Sequence, residues 1–103
     1  MELTGKQKRF LRATAHHLTP IFQIGKGGLN NELKTAIREA LDRRELIKIS
    51  LLQNTDEEAQ DVAEVLSEQL TLDVVQIIGR TLVLFKPSTK TNYQKISKEV
   101  KRV

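Results

Sequence analysis

The 103-residue chain contains no cysteine and no tryptophan, and it has only one tyrosine and three phenylalanines. Without cysteine it can form neither a disulfide framework nor a thiolate nucleophile, which is compatible with a reducing interior. The chain lacks an apolar run long enough to span a bilayer, and residues 1–6 lack the apolar core of a signal peptide. These absences predict one small cytoplasmic protein with no membrane partner.

The charge is positive overall, with a formal net value of +4, but it is unevenly spread. Residues 1–48 carry ten Lys/Arg against five Asp/Glu, residues 49–86 two against seven, and residues 87–103 five against one. A basic excess favours polyanionic partners, and its segregation indicates one binding side. The alternative interpretation is an ordinary solvated surface.

Hydrophobic periodicity predicts the element order α-β-α-β-α-β-β. Helices are expected from a capping box at Thr4–Gln7 to about Leu18, from Asn30 or Asn31 to Arg43 or Arg44, and after a second capping box at Thr55–Glu58. Strands are expected over residues 21–24, 46–52, 74–78 and 82–85, with Gly79-Arg80 as a hairpin turn. The predicted fold is an α/β (α+β) two-layer sandwich with a mixed four-stranded sheet, whose strand order stays open.

The end of the chain is polar and basic. We expect one folded domain over residues 1–87 and a partly flexible basic tail over residues 88–103. Tyr93, Ile96 and Val100 recur at i, i+3 and i+7, which permits a short docked helix. A frayed tail is the alternative, because the segment can bury little apolar area against its ordering entropy.

A glycine-rich turn, Gly25-Lys26-Gly27-Gly28, joins the first strand to the second helix. Such a turn presents backbone N–H groups at the positive end of the helix dipole, and glycine lets another backbone come close. The P-loop and dinucleotide-binding patterns do not fit, whereas the GxxG clamp of KH-type RNA-binding modules does. We therefore predict that Gly25, Lys26, Gly27 and Gly28 bind a phosphate of RNA; the alternative is a plain tight turn.

Two helices supply further cations. Lys8 and Arg12 recur at i, i+4 with Arg9 beside them, and Lys34 and Arg38 recur in the same way on the second helix. We predict that these five residues belong to the RNA-binding surface, and that the basic helix with Lys8, Arg9 and Arg12 lies adjacent to the GxxG loop. Because few aromatic side chains are free to stack on bases, recognition of the RNA backbone and shape is expected.

No catalytic residue, metal or cofactor is predicted. His16 and His17 are adjacent, so on a helix their side chains diverge, and no third ligand has a matching spacing. His16 falls on the basic stripe and His17 nearer the core. The acidic residues that follow Asn54 fit a capping box and a solvent-facing helix, and no nucleophile–base arrangement occurs.

Several spaced motifs resemble the CRM domain, whose letters stand for chloroplast RNA splicing and ribosome maturation. The motifs are Thr4–Gln7, Gln23–Leu29, Ala40-Leu41, Glu45–Lys48 and Ile78–Phe85, and the likeness covers about residues 2–87. The chain is similar to the stand-alone bacterial members. The resemblance implies a fold similar to the C-terminal domain of translation initiation factor three, RNA contact through the GxxG loop, and association with large-subunit precursors.

The leading hypothesis is thus a non-catalytic, monomeric RNA-binding protein that acts in assembly of the large ribosomal subunit. An alternative from another class is a protein-interaction adaptor that docks through the acidic third helix or the exposed sheet. A small enzyme acting on nucleotides is disfavoured, because the chain lacks a catalytic constellation.

Overall fold

The computed structural model describes residues 2–103. Its elements are α1 (Gly5–Ala15), β1 (Pro20–Ile24), α2 (Asn31–Arg44), β2 (Leu46–Leu51), α3 (Ala59–Leu70), β3 (Asp73–Ile78), β4 (Thr81–Phe85), a 3₁₀ turn (Thr91–Tyr93) and α4 (Ile96–Lys101). The predicted order is confirmed through β4, and α4 extends it. Within the described residues, no helix has both the length and the apolar character needed to cross a membrane.

The four strands form one mixed sheet in the order β1-β2-β4-β3. β1 pairs parallel with β2, and β4 pairs antiparallel with both of its neighbours. Gly79 has φ 57°, the left-handed backbone that a two-residue hairpin turn between β3 and β4 requires. The predicted mixed four-stranded sheet is confirmed. The strand order could not be predicted from the sequence, because β4 inserts between β2 and β3.

Alternating side chains divide the core between the two faces of the sheet. Ile47, Ile49 and Leu84 pack under α2 and α3, whereas Leu46 and Phe85 point to the other face. There α1 and α4 cover them through buried Leu11, Ala15 and Val100. The predicted α/β class is confirmed, but two layers are an incomplete description. Apolar residues on the second face require a partial third layer of helix.

The first helix begins as predicted and ends early. Thr4 and Gln7 form the capping box, with Gln7 N donating to Thr4 Oγ1 at 3.1 Å and Thr4 N donating to Gln7 Oε1 at 2.9 Å. The helix ends at Ala15 and not near Leu18. Leu18 N donates to Ala15 O at 2.9 Å, a tightened turn that leads the chain out of the helix before Pro20.

The capping box predicted at Thr55–Glu58 is wrong. The helix begins at Ala59, and its N-cap residue, Glu58, makes no side-chain capping bond. Buried Thr55 instead accepts a hydrogen bond from Glu57 N at 3.3 Å, which forms a local turn ahead of the helix. The Glu57 carboxylate is engaged by a distant segment, described below.

Of the two alternatives for residues 88–103, the structure shows the docked helix. Val100 is fully buried against α1. Glu45, also fully buried, accepts N–H bonds from Ser88 (2.8 Å), Lys95 (2.9 Å) and Ser97 (3.1 Å). Burial alone would raise the pKa of Glu45, but the hydrogen bonds outweigh it and hold the pKa below its ordinary value. The hydrogen bonds to buried Glu45 thus stabilise the docking of residues 88–103, whose few apolar side chains bury little area.

Candidate nucleic-acid interface

The glycine-rich loop follows β1 at the carboxyl ends of β1 and β2. Gly28 N donates to Gly25 O at 3.0 Å, which closes a turn whose exposed tip is Lys26-Gly27. Gly28 adopts φ 68°, a backbone that other residues rarely take. The loop therefore projects one lysine and one side-chain-free residue from the end of the sheet.

Glu57, which lies in the connection between β2 and α3, stabilises this loop. Its Oε1 accepts a hydrogen bond from Leu29 N at 3.2 Å, and a Cβ built at Gly28 would lie 2.9 Å from the same oxygen. Asn30, the N-cap of α2, accepts from Leu33 N at 2.9 Å. The backbone amides of Leu29 and Leu33, at the start of α2, thus already donate hydrogen bonds, contrary to the expectation of free donors there. A phosphate would meet the loop at its tip.

Arg80, which the sequence analysis did not include, lies at the same end of the sheet. Its Nε and Nη2 donate to Leu51 O at 3.2 Å and Leu52 O at 2.6 Å. Leu52 also lies beside Gly25, because a Cβ at that glycine would be 3.5 Å from Leu52 Cδ1. The guanidinium therefore holds the segment that follows β2 and adds positive charge at the end of the sheet that carries the glycine-rich loop. The strand order, which the sequence did not show, brings the two segments together.

The cations predicted on α2 lie along the helix that starts at the loop. Lys34 is half-buried and Arg38 is exposed one turn further on. Since α2 runs from the loop towards the opposite end of the sheet, this pair extends the positive surface away from Lys26. The structure thus connects the loop with the α2 cations through one continuous element.

The cations predicted on α1 lie elsewhere. α1 packs over Leu46, Val83 and Phe85, and Leu46 and Phe85 mark the end of the sheet opposite the loop. Lys8 and Arg9 are exposed there. The description of this helix as adjacent to the GxxG loop is therefore wrong. The reason is topological: α1 leads directly into the amino end of β1, whereas the loop follows its carboxyl end.

The three predicted cations of α1 are not equally available for binding. Arg12 is half-buried. Burial raises the pKa of Asp73 at the start of β3, and the nearby charge of Lys8 opposes that rise. The positive charge of Lys8 is therefore partly offset by the charge of Asp73.

The two histidines contribute no evident site. Both are exposed, which corrects the expectation that His17 lies nearer the core. Their rings meet edge to face with centroids 5.3 Å apart. Among residues 2–103, no cluster of three histidine or acidic side chains is arranged to hold a metal ion.

Comparison with known proteins now places the chain. The family model of the CRS1 / YhbY (CRM) domain matches residues 3–86. The chain belongs to the CRM-domain family. The predicted family and fold are confirmed, and residues 87–103 of this CRM protein lie beyond the matched range.

Several relatives of this CRM protein are named for RNA binding. It is 60% identical over 92 residues to "Probable RNA-binding protein YqeI" of Bacillus subtilis, covering 89% of this chain and 95% of the relative. It is 36% identical to an "RNA-binding protein" of Haemophilus influenzae, covering 89% and 93%. The solution structure of SAV1595 from Staphylococcus aureus, described as a candidate RNA-binding protein, matches with TM-score 0.73 and 45% identity, covering 91% of this chain and 98% of that one.

Proposed function

We propose that this CRM protein is a non-catalytic RNA-binding protein that binds ribosomal RNA during assembly of the large ribosomal subunit, as a cytoplasmic monomer. The names of its relatives support RNA as the partner. The family resemblance supports the ribosomal target. The loop and helix contacts proposed in this subsection all lie within residues 1–87.

One observation carries the proposal: the exposed Lys26-Gly27 tip stands on a braced loop at the end of the sheet. Gly27 has no side chain, so an RNA backbone can approach closely, and the Lys26 ammonium can pair with a phosphate. Lys34 and Arg38 then offer further phosphate contacts along α2. Contacts of this kind hold RNA by its backbone with little base selection.

The test is a titration of RNA binding across salt. With four or five phosphates engaged, log affinity for single-stranded RNA falls against log salt with a slope of roughly −3, at about −0.7 per phosphate. Lys26→Ala weakens binding and makes the slope shallower by about 0.7, since one phosphate contact is lost. Gly27→Val weakens binding more, because its side chain blocks the backbone. A flat salt response, or parent-like binding by Gly27→Val, refutes the loop as the site.

A protein-interaction adaptor is the second candidate. β3 is an edge strand, and a groove of about 490 Å³ between it and α3 is lined by acidic Glu64 and Glu68 and by Ile77, which is 37% exposed. An acidic groove beside an open strand edge suits a basic peptide that adds a strand. Absent RNA binding, together with capture of a basic peptide whose affinity falls when Glu64 and Glu68 are neutralised, favours this alternative.

A further inference from the structure

A second basic surface lies between the carboxyl half of α2 and the chain that follows β4. It is a groove of about 600 Å³ whose walls include Arg38 and Arg43 from α2 and Lys90 and Tyr93 from the other side. Tyr93 is half-buried, and it also borders an adjoining depression that reaches Phe22. This groove is separate from the glycine loop, and Tyr93 and Lys90 lie outside the range matched by the family model.

Two cations lie near the ring of Tyr93. Arg43 Cζ and Lys90 Nζ each lie 6.0 Å from the centroid of its ring. That distance is the outer limit of a cation–π contact, so neither cation is packed tightly onto the ring. An aromatic face with cations beside it is an arrangement that can stack an unpaired base while pairing the adjacent phosphates.

The groove is held in shape by the α2 carboxylates. Asp42 accepts hydrogen bonds from Thr89 N at 2.7 Å and from Thr89 Oγ1 at 2.8 Å, and these bonds lower the pKa of Asp42. Glu45 holds the amides of Lys95 and Ser97 just beyond Tyr93. The ring is therefore fixed relative to α2 before any ligand arrives, which reduces the entropy cost of binding.

The charges of the groove restrict where a phosphate can lie. Lys86 also borders it, but its Nζ donates to Leu70 O at 2.9 Å and so is already engaged. Glu39 lines the groove and repels a phosphate near it. Arg38, Arg43 and Lys90 are the cations left to meet the ligand. We infer that Tyr93 and these cations form a stacking site for an unpaired base of single-stranded RNA, an inference that rests on the proposed RNA binding.

Tyr93 supplies its own probe, because the chain has one tyrosine and no tryptophan. Tyrosine emission is followed while unlabelled single-stranded RNA or a fully paired duplex of equal length is added, with free tyrosine amide correcting for absorbed light. Binding itself is measured by anisotropy of end-labelled RNA. We expect single-stranded RNA to quench the emission with the midpoint seen by anisotropy, and the duplex to bind without quenching. Binding of single-stranded RNA with unchanged emission overturns the inference.

Variants separate stacking from charge and from folding. Tyr93→Leu weakens single-stranded RNA binding roughly 5- to 150-fold, the range expected for one stacked base, whereas Tyr93→Phe stays within about twofold of the parent. Duplex affinity changes in neither variant, which serves as the control for folding and for the glycine loop. Equal losses for Tyr93→Leu on both RNAs, or equal quenching by polyglutamate, overturn base stacking. Absent binding of any RNA by the parent instead refutes the proposed function, and the inference with it.

Discussion

The two neighbouring glycines of the loop allow its geometry to be tested by one added methyl group. Gly28 has φ 68°, and its Cβ would meet Glu57 Oε1 at 2.9 Å. Gly27 adopts an ordinary backbone, and its Cβ would be 3.6 Å from Asn30 Nδ2, a normal contact. Gly28→Ala is therefore expected to destabilise the fold, and Gly27→Ala is the matched control.

The magnitude follows from two separate costs. A left-handed backbone costs alanine about 1–2 kcal/mol. Relieving the contact moves the Glu57 carboxylate and weakens its 3.2 Å bond to Leu29 N, which adds about 1 kcal/mol. The lower chain entropy of unfolded alanine offsets about 0.4–1 kcal/mol of this. The net loss for Gly28→Ala is about 1–2 kcal/mol, whereas Gly27→Ala is neutral or slightly stabilising.

Thermal unfolding followed by circular dichroism measures the difference. For a domain of this size 1 kcal/mol shifts Tm by roughly 4–8 °C, so Gly28→Ala should melt about 4–16 °C below the parent. In a Glu57→Ala background the same substitution should cost about 1 kcal/mol less, because the contact is gone and only the backbone strain remains. Equal melting of the Gly28→Ala and Gly27→Ala variants would refute both the turn geometry and the brace.

Two further predictions concern charge. Reversing Lys8 and Arg12 to glutamate should lower RNA affinity at least tenfold, whereas neutralising Asp61 and Glu64 on α3 should leave it unchanged; a gain in affinity from the second pair in filter binding would show that net charge governs association. Glu45→Gln should destabilise the fold by about 2–4 kcal/mol, because an amide group then faces backbone donors in the buried anchor. Since the folded pKa of Glu45 is lowered, its stabilisation is present at neutral pH and is lost as pH falls below the ordinary value of about 4.3. Urea unfolding across pH should show that acid loss in the parent and a flatter profile in Glu45→Gln.

Local patterns predicted most of the secondary structure because their causes are local. The Thr4–Gln7 capping box, the Asn30 N-cap and the Gly79 turn each involve residues within three positions of one another. The strands likewise follow from alternation against a core. The strand order depends on contacts between residues far apart in the sequence. The sequence alone therefore did not show that α1 and the glycine-rich loop lie at opposite ends of the sheet.

Sequence patterns did not identify polar side chains that bind segments far away in the sequence. Glu57 matched a local capping pattern, yet its carboxylate binds Leu29, 28 residues away. Glu45 carried no signal of burial, because an isolated glutamate is most often exposed, yet it organises residues 88–97. Periodicity detects apolar burial only, so it permitted the docked C-terminal helix through Tyr93, Ile96 and Val100 but indicated neither the Glu45 anchor nor the groove beside it.

The placement of the cations constrains what a single RNA must look like if every predicted contact is used. The loop stands at one end of the sheet and α1 at the other, and the six residues of β2 span about 20 Å at roughly 3.3 Å each. α2 crosses the same distance, with Lys34 near the loop and Arg43 at the remote end. An RNA shorter than this span can therefore occupy only one end. A longer RNA engages both ends only if its backbone follows α2 or if it presents separate backbone segments to the loop and to the remote cations, so the shape of the RNA affects its affinity.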